Sequence, residues 1–220
     1  MIRRISEPIE IRYYQKKKLI LQKLSKQKAL FEREHMSTEH KNEHPLERFR
    51  YCPVCGSDGF ETNSSKSRKC RDCGFEYFMN SATSTVAIIE DGMGNVLVCK
   101  RAKEPAKGTL DLPGGFCDCM ESAERGIARE VMEEAGLKVT DVRYLFSLPN
   151  AYPYSGINIF TTDLFFLCHV EPGIPKAMDD AAELRWISWK DLNPDDFGLG
   201  SISRGVKLLL AKKRIASGII

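Results

Sequence analysis

The sequence predicts an α/β (α+β) protein: a layered α/β/α domain with a mixed sheet, preceded by a small module held together by metal. Three observations predict it. Strand-like apolar runs after Ser81 alternate with two helical stretches. Two Cys-x-x-Cys pairs lie between Cys52 and Cys73. The 220 residues, 42% of them hydrophobic, are enough for one medium-sized core plus an appendage.

Residues 1–50 read as a basic, polar arm. Up to Glu34 the chain carries ten Lys/Arg and four Glu, so the remaining residues hold 23 basic and 26 acidic side chains, a net of −3 against +3 for the whole. The basic excess belongs to the arm alone, which argues against a nucleic-acid-binding core. Its leucines and Phe31 keep only a broken helical period, so an isolated helix there would be marginal. Met36 is a second candidate start. No apolar run is long enough to cross a bilayer. The N-terminus lacks the apolar stretch and cleavage site of a secretory signal, so a cytoplasmic protein without membrane partners is expected.

Residues 51–80 read as a zinc ribbon. Cys52-x-x-Cys55 and Cys70-x-x-Cys73 are separated by fourteen residues, and each pair runs on into glycine. Two tight knuckles of this kind aim four thiolates at one ion, a closed tetrahedral shell that suits Zn2+ and leaves no open position for chemistry. Metal binding would supply the folding energy that so small a core lacks. Cys99, Cys117, Cys119 and Cys168 have no such spacing.

Residues 81–220 read as the main domain. "STVAIIE" and "NVLVCKR" flank "DGMG" and suggest a hairpin. A helix is expected from about Glu121 to Ala135, stopped by Gly136. "KVTDVRYLFSL" and "TDLFFLCHV" read as strands around a loop "PNAYPYSG", and "AELRWISW" as another strand. "ISRGVKLLLAKKRIA" closes the domain as an amphipathic helix, its cations at the end favoured by the helix dipole.

The first of these helices poses a chemical question. At 100° per residue, Glu130, Glu133 and Glu134 share about one 100° arc beside an apolar stripe of Ala123, Ile127 and Val131. A carboxylate at the edge of a buried face is costly without a partner. Mg2+, which prefers carboxylate and phosphate oxygens, is the natural one. Gly114 and Gly115 permit a bend that brings a backbone carbonyl to the same ion, and Arg129 can reach back to Glu121 to fix the loop.

The spacing Gly-x5-Glu-x7-Arg-Glu-U-x-Glu-Glu-x-Gly-U, with U apolar, is filled by Gly115, Glu121, Arg129, Glu130, Val131, Glu133, Glu134, Gly136 and Leu137. It resembles the Nudix box, the signature of enzymes that hydrolyse nucleoside diphosphates linked to another moiety. The resemblance implies a Nudix fold over 81–220. It implies Mg2+ or Mn2+ held by Glu130, Glu133, Glu134 and the Gly114 carbonyl, with Glu133 and Glu134 catalytic. Gly115, Glu121 and Arg129 would orient the loop. A ribbon before such a domain is similar to the NADH pyrophosphatase branch, which carries Ser-Gln-Pro-Trp-Pro-Phe-Pro-x-Ser after the box. Here Ser147, Pro149, Pro153 and Ser155 agree, Tyr152 replaces one aromatic by another, and Leu148, Asn150 and Ala151 depart. "LPGGF" is closer to the ADP-ribose pyrophosphatase branch. The resemblance thus implies a nucleotide substrate, NADH, NAD or ADP-ribose, met by Pro149, Tyr152, Pro153, Tyr154 and Ser155. It points to Glu183, with Asp179 and Asp180 as rivals, as a further ligand or general base, and to a homodimer. Nucleoside triphosphates or nucleotide sugars are the alternative substrates. A nucleotide sensor or an RNA-binding protein is the alternative of another class, with NAD-capped RNA left open as a partner.

Overall fold

The computed structural model describes residues 44–179 and 181–216, with the side chains of 214–216 left out. The arm up to residue 43 and Asp180 lie outside the described residues. The chain divides into two compact units between Tyr77 and Phe78.

In the first unit, strands β1 (Phe60–Ser64), β2 (Ser67–Cys70) and β3 (Glu76–Phe78) form one small sheet in that order. Among the described residues its apolar cluster is Cys52, Phe60 and Cys70, with Phe75 packed against them. Each cysteine pair turns through a glycine with positive φ, Gly56 at 75° and Gly74 at 76°, a conformation open to glycine at no steric cost. The turns are closed by Gly56 N–H donating to Cys52 O and Gly74 N–H to Cys70 O.

The second unit holds β4 (Ala82–Ile89), β5 (Asn95–Arg101), β6 (Leu110–Asp111), helix α1 (Ala123–Ala135), β7 (Val139–Tyr154), β8 (Ile157–Val170), β9 (Ala181–Ser188) and helix α2 (Gly200–Ala216). Its strands make two three-stranded sheets. In β4-β8-β7, β4 runs parallel and β7 antiparallel to β8, so this sheet is mixed. In β6-β5-β9 all pairs are antiparallel. Successive residues of the central strands feed opposite clusters. Val86, Ile88, Val96, Val98 and Phe165 join α2's Ile202, Val206 and Leu209. Ala87, Ile89, Leu97 and Phe166 join α1's Ile127, Val131 and Ala135. Burial on both faces explains why these strands read as continuous apolar runs.

Two strand expectations change. The turn after β4 forms, pinned by Asp91 Oδ1 accepting from the Met93 and Asn95 N–H groups. The strands then part, and the Glu90–Val96 bridge is the isolated pair between them. The reason is competition: β8 matches β4 over eight consecutive positions, and β9 matches β5 from Asn95 to Arg101. The segment "PNAYPY" is not a loop. It continues β7, paired with β8 from Pro149–Thr162 to Tyr154–Ile157, and Ser155-Gly156 (φ 50° and 76°) is the two-residue turn. β7 lies at the edge of its sheet, where proline's missing N–H costs no ladder bond on the open side.

Helix α1 starts two residues later than expected because Ser122 caps it, its hydroxyl accepting from Arg125 N–H. It ends at Gly136, whose φ is 64°. Ile127 and Val131 are fully buried, worth roughly 1.5–3 kcal/mol each. At Gly205 of α2 an added Cβ would sit 2.5 Å from Phe165 Cζ. Gly205→Leu gains about 1 kcal/mol of helix propensity but overpacks against the fully buried Phe165 ring by roughly 2–3 kcal/mol or more. Denaturant unfolding should show a net loss of at least about 1 kcal/mol; an unchanged midpoint would contradict this packing.

Candidate active site

The loop between β6 and α1 is laid along β4 as an irregular extra strand. Ala87 N–H donates to Pro113 O, Thr85 N–H to Gly115 O, and Cys117 N–H to Thr83 O. This places the two glycines beside α1. Gly114 has φ 149° and an added Cβ would run into the Thr85 carbonyl; its N–H donates to Glu134 Oε2 at 3.0 Å. At Gly115 an added Cβ would lie 2.6 Å from Glu130 Cδ.

Arg129 binds the acidic groups into one network. Its Nε and Nη2 donate to Glu121 at 3.1 and 2.9 Å, Nη1 to Glu130 at 2.8 Å and Glu133 at 2.9 Å, and Nη2 to the Phe116 carbonyl at 3.0 Å. The hydrogen bonds from Arg129 hold Glu121 down at about 2, far below the usual carboxylate range. Burial pushes Glu130 up, against the opposing pull of Arg129. Glu134 is 9% exposed.

A cavity of about 410 Å3 opens in front of this network. Gly114, Gly115, Arg129, Glu130, Glu133 and Glu134 form one wall. Arg101 and Asp111 stand opposite, paired at 2.6 Å. Burial raises Asp111 and Arg101 works against it. Tyr152 also lines the cavity, its hydroxyl 3.5 Å from Arg101 Nη2 and its ring edge-on to Phe116 at 5.7 Å. Thr161 and Asp163 of β8 complete the lining with Leu199 and Ile202. In all, the carboxylates are Asp111, Asp118, Glu130, Glu133, Glu134, Asp163 and Asp179, and the cations Arg101, Lys103 and Arg129, a formal net of −4.

The sequence-derived candidates divide accordingly. Glu130, Glu133, Glu134, Gly114, Gly115, Arg129 and Tyr152 meet at the cavity. Glu121 supports Arg129 from behind. Pro149, Pro153, Tyr154 and Ser155 are not in the cavity wall; Tyr154 is 58% exposed, and Pro149 gives its carbonyl to Arg204. Glu183 does not join the cluster either. It lies on β9 with its carboxylate 3.2 Å from Arg185 Nε, both side chains about half exposed, whereas Asp179 lines the cavity. Sequence reasoning missed Arg101, Asp111, Thr161 and Asp163. Thr161 and Asp163 share one face of β8 with Ile157, Ile159, Phe165 and Leu167.

In the first unit, the Sγ atoms of Cys52, Cys55, Cys70 and Cys73 all lie within 4.8 Å of one another. Cys52–Cys73 and Cys55–Cys70 are each 3.6 Å apart, too long for a disulfide and close to the ~3.8 Å edge of a tetrahedron with 2.3 Å metal–sulfur bonds. Chiefly the Cys73 backbone N–H lowers the Cys70 thiol to about 6. This set fits a thiolate-bound metal.

Residues 80–204 match the family model described as the NUDIX domain. The chain is 27% identical over 145 residues to the NAD-capped RNA hydrolase NudC of Deinococcus radiodurans, covering 65% of this chain and 50% of that one. It is 33% identical over 132 residues to the ADP-ribose pyrophosphatase of Methanocaldococcus jannaschii, covering 59% and 75% respectively. The solved structure of a NUDIX hydrolase from Nitrosomonas europaea shares the fold, with TM-score 0.59 and 22% identity over 75% of this chain and 92% of that one. The chain spans about half to three-fifths of the length of the NudC relatives it matches. No described helix is long and apolar enough to cross a membrane.

The two glycines separate structure from chemistry. Gly114→Ala meets fixed backbone at a φ that alanine avoids, and should cost about 2 kcal/mol or more. Gly115→Ala meets the end of a flexible side chain, so its stability should stay within about 1 kcal/mol while Glu130 is displaced and turnover falls. Denaturation melts and rates on both variants check this; a strongly destabilised Gly115→Ala would contradict it.

Proposed function

The chain belongs to the Nudix family, and on that premise we propose that it is a metal-dependent pyrophosphohydrolase cleaving NADH, NAD or ADP-ribose to monophosphate products. The observation that carries this is the charge of the cavity. With seven carboxylates against three cations, a diphosphate cannot enter unless divalent ions come with it. The donors are all hard oxygens, which fit Mg2+ or Mn2+. Glu130, Glu133, Glu134 and the backbone at Gly114 would hold them. When bound, such ions supply positive charge for the diphosphate and lower the pKa of water. The chain's own part is to orient. Arg129 keeps the α1 carboxylates in one array, and Gly115 leaves Glu130 the space it occupies. Arg101 offers a half-buried guanidinium to a phosphate oxygen. Water oxygen bonds to one phosphorus, the bridging P–O bond breaks, and a cavity carboxylate takes the water's proton. The names of the two curated relatives support this substrate class. The first also favours a second reading, that the dinucleotide is the 5′ end of an RNA.

Glu133→Gln and Glu134→Gln keep the side-chain shape and, at 134, an acceptor for Gly114 N–H. Both should fold within about 1 kcal/mol of the parent and lose turnover by at least about 100-fold, since metal-ion stabilisation amounts to several kcal/mol. A panel of NADH, NAD, ADP-ribose, nucleoside triphosphates and nucleotide sugars with Mg2+, scored by product, tests the substrate class. Normal turnover by both variants would defeat the assignment.

The four-cysteine set is proposed to hold one Zn2+ per chain without taking part in catalysis. Cys70→Ser should lower zinc content and thermal stability together. Carefully purified parent protein with no zinc by elemental analysis would overturn this.

A further inference from the structure

Asp163 is a buried carboxylate that the metal-binding wall does not use. It sits on β8 opposite Ser84 of β4 on one side and Leu148 of β7 on the other, and is 4% exposed. Alternation puts Thr161, Asp163 and Phe165 on one face of the sheet. Phe165 packs into the cluster shared with α2, while Thr161 and Asp163 line the cavity. Among the described residues, the Asp163 side chain accepts one hydrogen bond, from Thr161 Oγ1 to Oδ1 at 2.6 Å. Oδ2 has no such donor. A carboxylate has about four acceptor positions, so on this cavity-lining residue acceptor capacity is left for a ligand or for solvent. Arg204 is near enough for its charge to interact with that of Asp163, and its Nη2 donates to the Pro149 carbonyl. Packing does not require an acid here; the next residues, Leu164 to Leu167, are all apolar.

The surroundings narrow what Oδ2 accepts. A phosphate would be repelled. A further cation there would face the guanidinium of Arg204, whose charge interacts with that of Asp163. A neutral N–H or O–H donor remains. The same cavity carries the Phe116–Tyr152 edge-on pair, whose flat faces suit a heteroaromatic ring.

We infer that Asp163, oriented by Thr161, reads the exocyclic amine of an adenine base, so that the β8–α2 end of the cavity holds the nucleoside while the α1 end holds the diphosphate. This rests on the nucleotide-hydrolase reading above. It makes Asp163 a specificity-determining residue.

The test compares adenine with hypoxanthine, which replaces the amine by a carbonyl. With Mg2+, the parent protein should hydrolyse ADP-ribose with kcat/KM at least about 10-fold above its hypoxanthine analogue, the low end for a charge-assisted hydrogen bond. Asp163→Asn can present an amide N–H to that carbonyl, and should erase or reverse the preference. A purely structural role would lower both substrates alike and overturn the inference, as would equal rates in the parent. If the parent hydrolyses neither, ADP-ribose is not its substrate, and calorimetry of the parent with AMP and IMP decides Asp163 independently. A preference of at least about tenfold for AMP supports it, and equal affinities refute it. That measurement needs no variant, so misfolding of Asp163→Asn leaves the inference testable.

Discussion

The backbone clasp between β4 and the Pro113–Cys117 segment is the constraint on which the site depends. Three hydrogen bonds, at Ala87, Thr85 and Cys117, fix two glycines against a strand that is itself locked to β8 over its whole length. Helix α1 packs beside the same strand through Ile127, Val131 and Ala135. The α1 carboxylates therefore meet the loop at a separation set by main chain on one side and by an apolar core on the other. Glu134 touches Gly114 N–H at 3.0 Å and Glu130 fills the space beside Gly115 because no side chain intervenes. Precision of this kind is what a metal-dependent site needs, since ligands must be held before the ion or substrate arrives.

Electrostatics then decides what the clasp is for. Arg129 spends all five of its N–H donors, three on the loop at Glu121 and Phe116 and two on Glu130 and Glu133. It ties the helix to the loop and partly neutralises both. It cannot serve the rest of the cavity, where Asp111 already takes Arg101. On the proposed function, the remaining negative charge is a cost that a divalent ion would relieve, and the same ion would make a diphosphate welcome, so that substrate and metal binding would be coupled by this imbalance.

The legible parts of the sequence were those in which local spacing dictates geometry. The α1 arc, its Gly136 stop and the two cysteine knuckles depend on residues a few positions apart, and the structure places each as its spacing required. Features that depend on partners far away in the chain were misread. The β4 and β5 runs looked like a hairpin because nothing local reveals that β8 and β9 make longer ladders. "PNAYPY" looked like a loop because proline disfavours strands, and its edge position was invisible. Glu183 was chosen because the similar branch carries a metal-binding glutamate a few residues before its own strand; here it stands within β9 with its carboxylate beside Arg185. Asp111 and Asp163 were overlooked because single acids in apolar strands carry no motif, although burial makes each of them unusual.

The size of the cavity bears on selectivity. At about 410 Å3 it lies near the lower end of the roughly 300–1,000 Å3 that encloses small ligands. On the proposed function, a substrate with a nucleoside on one side of its diphosphate and a second nucleoside or a sugar on the other would place one half in this space and leave the other to project. The enclosed half is the one with something to match at the buried Thr161–Asp163 pair, because leaving that pair unmet after desolvation costs more than any rim contact returns. NADH, NAD and ADP-ribose share that adenosine half and differ in the half left outside. On that reading, discrimination among them would come from groups outside the cavity lining; Tyr154 and the Ser155-Gly156 turn are exposed at the tip of the β7–β8 hairpin. Contacts there would give graded preferences, and on the inference drawn above the buried pair would set the strict one.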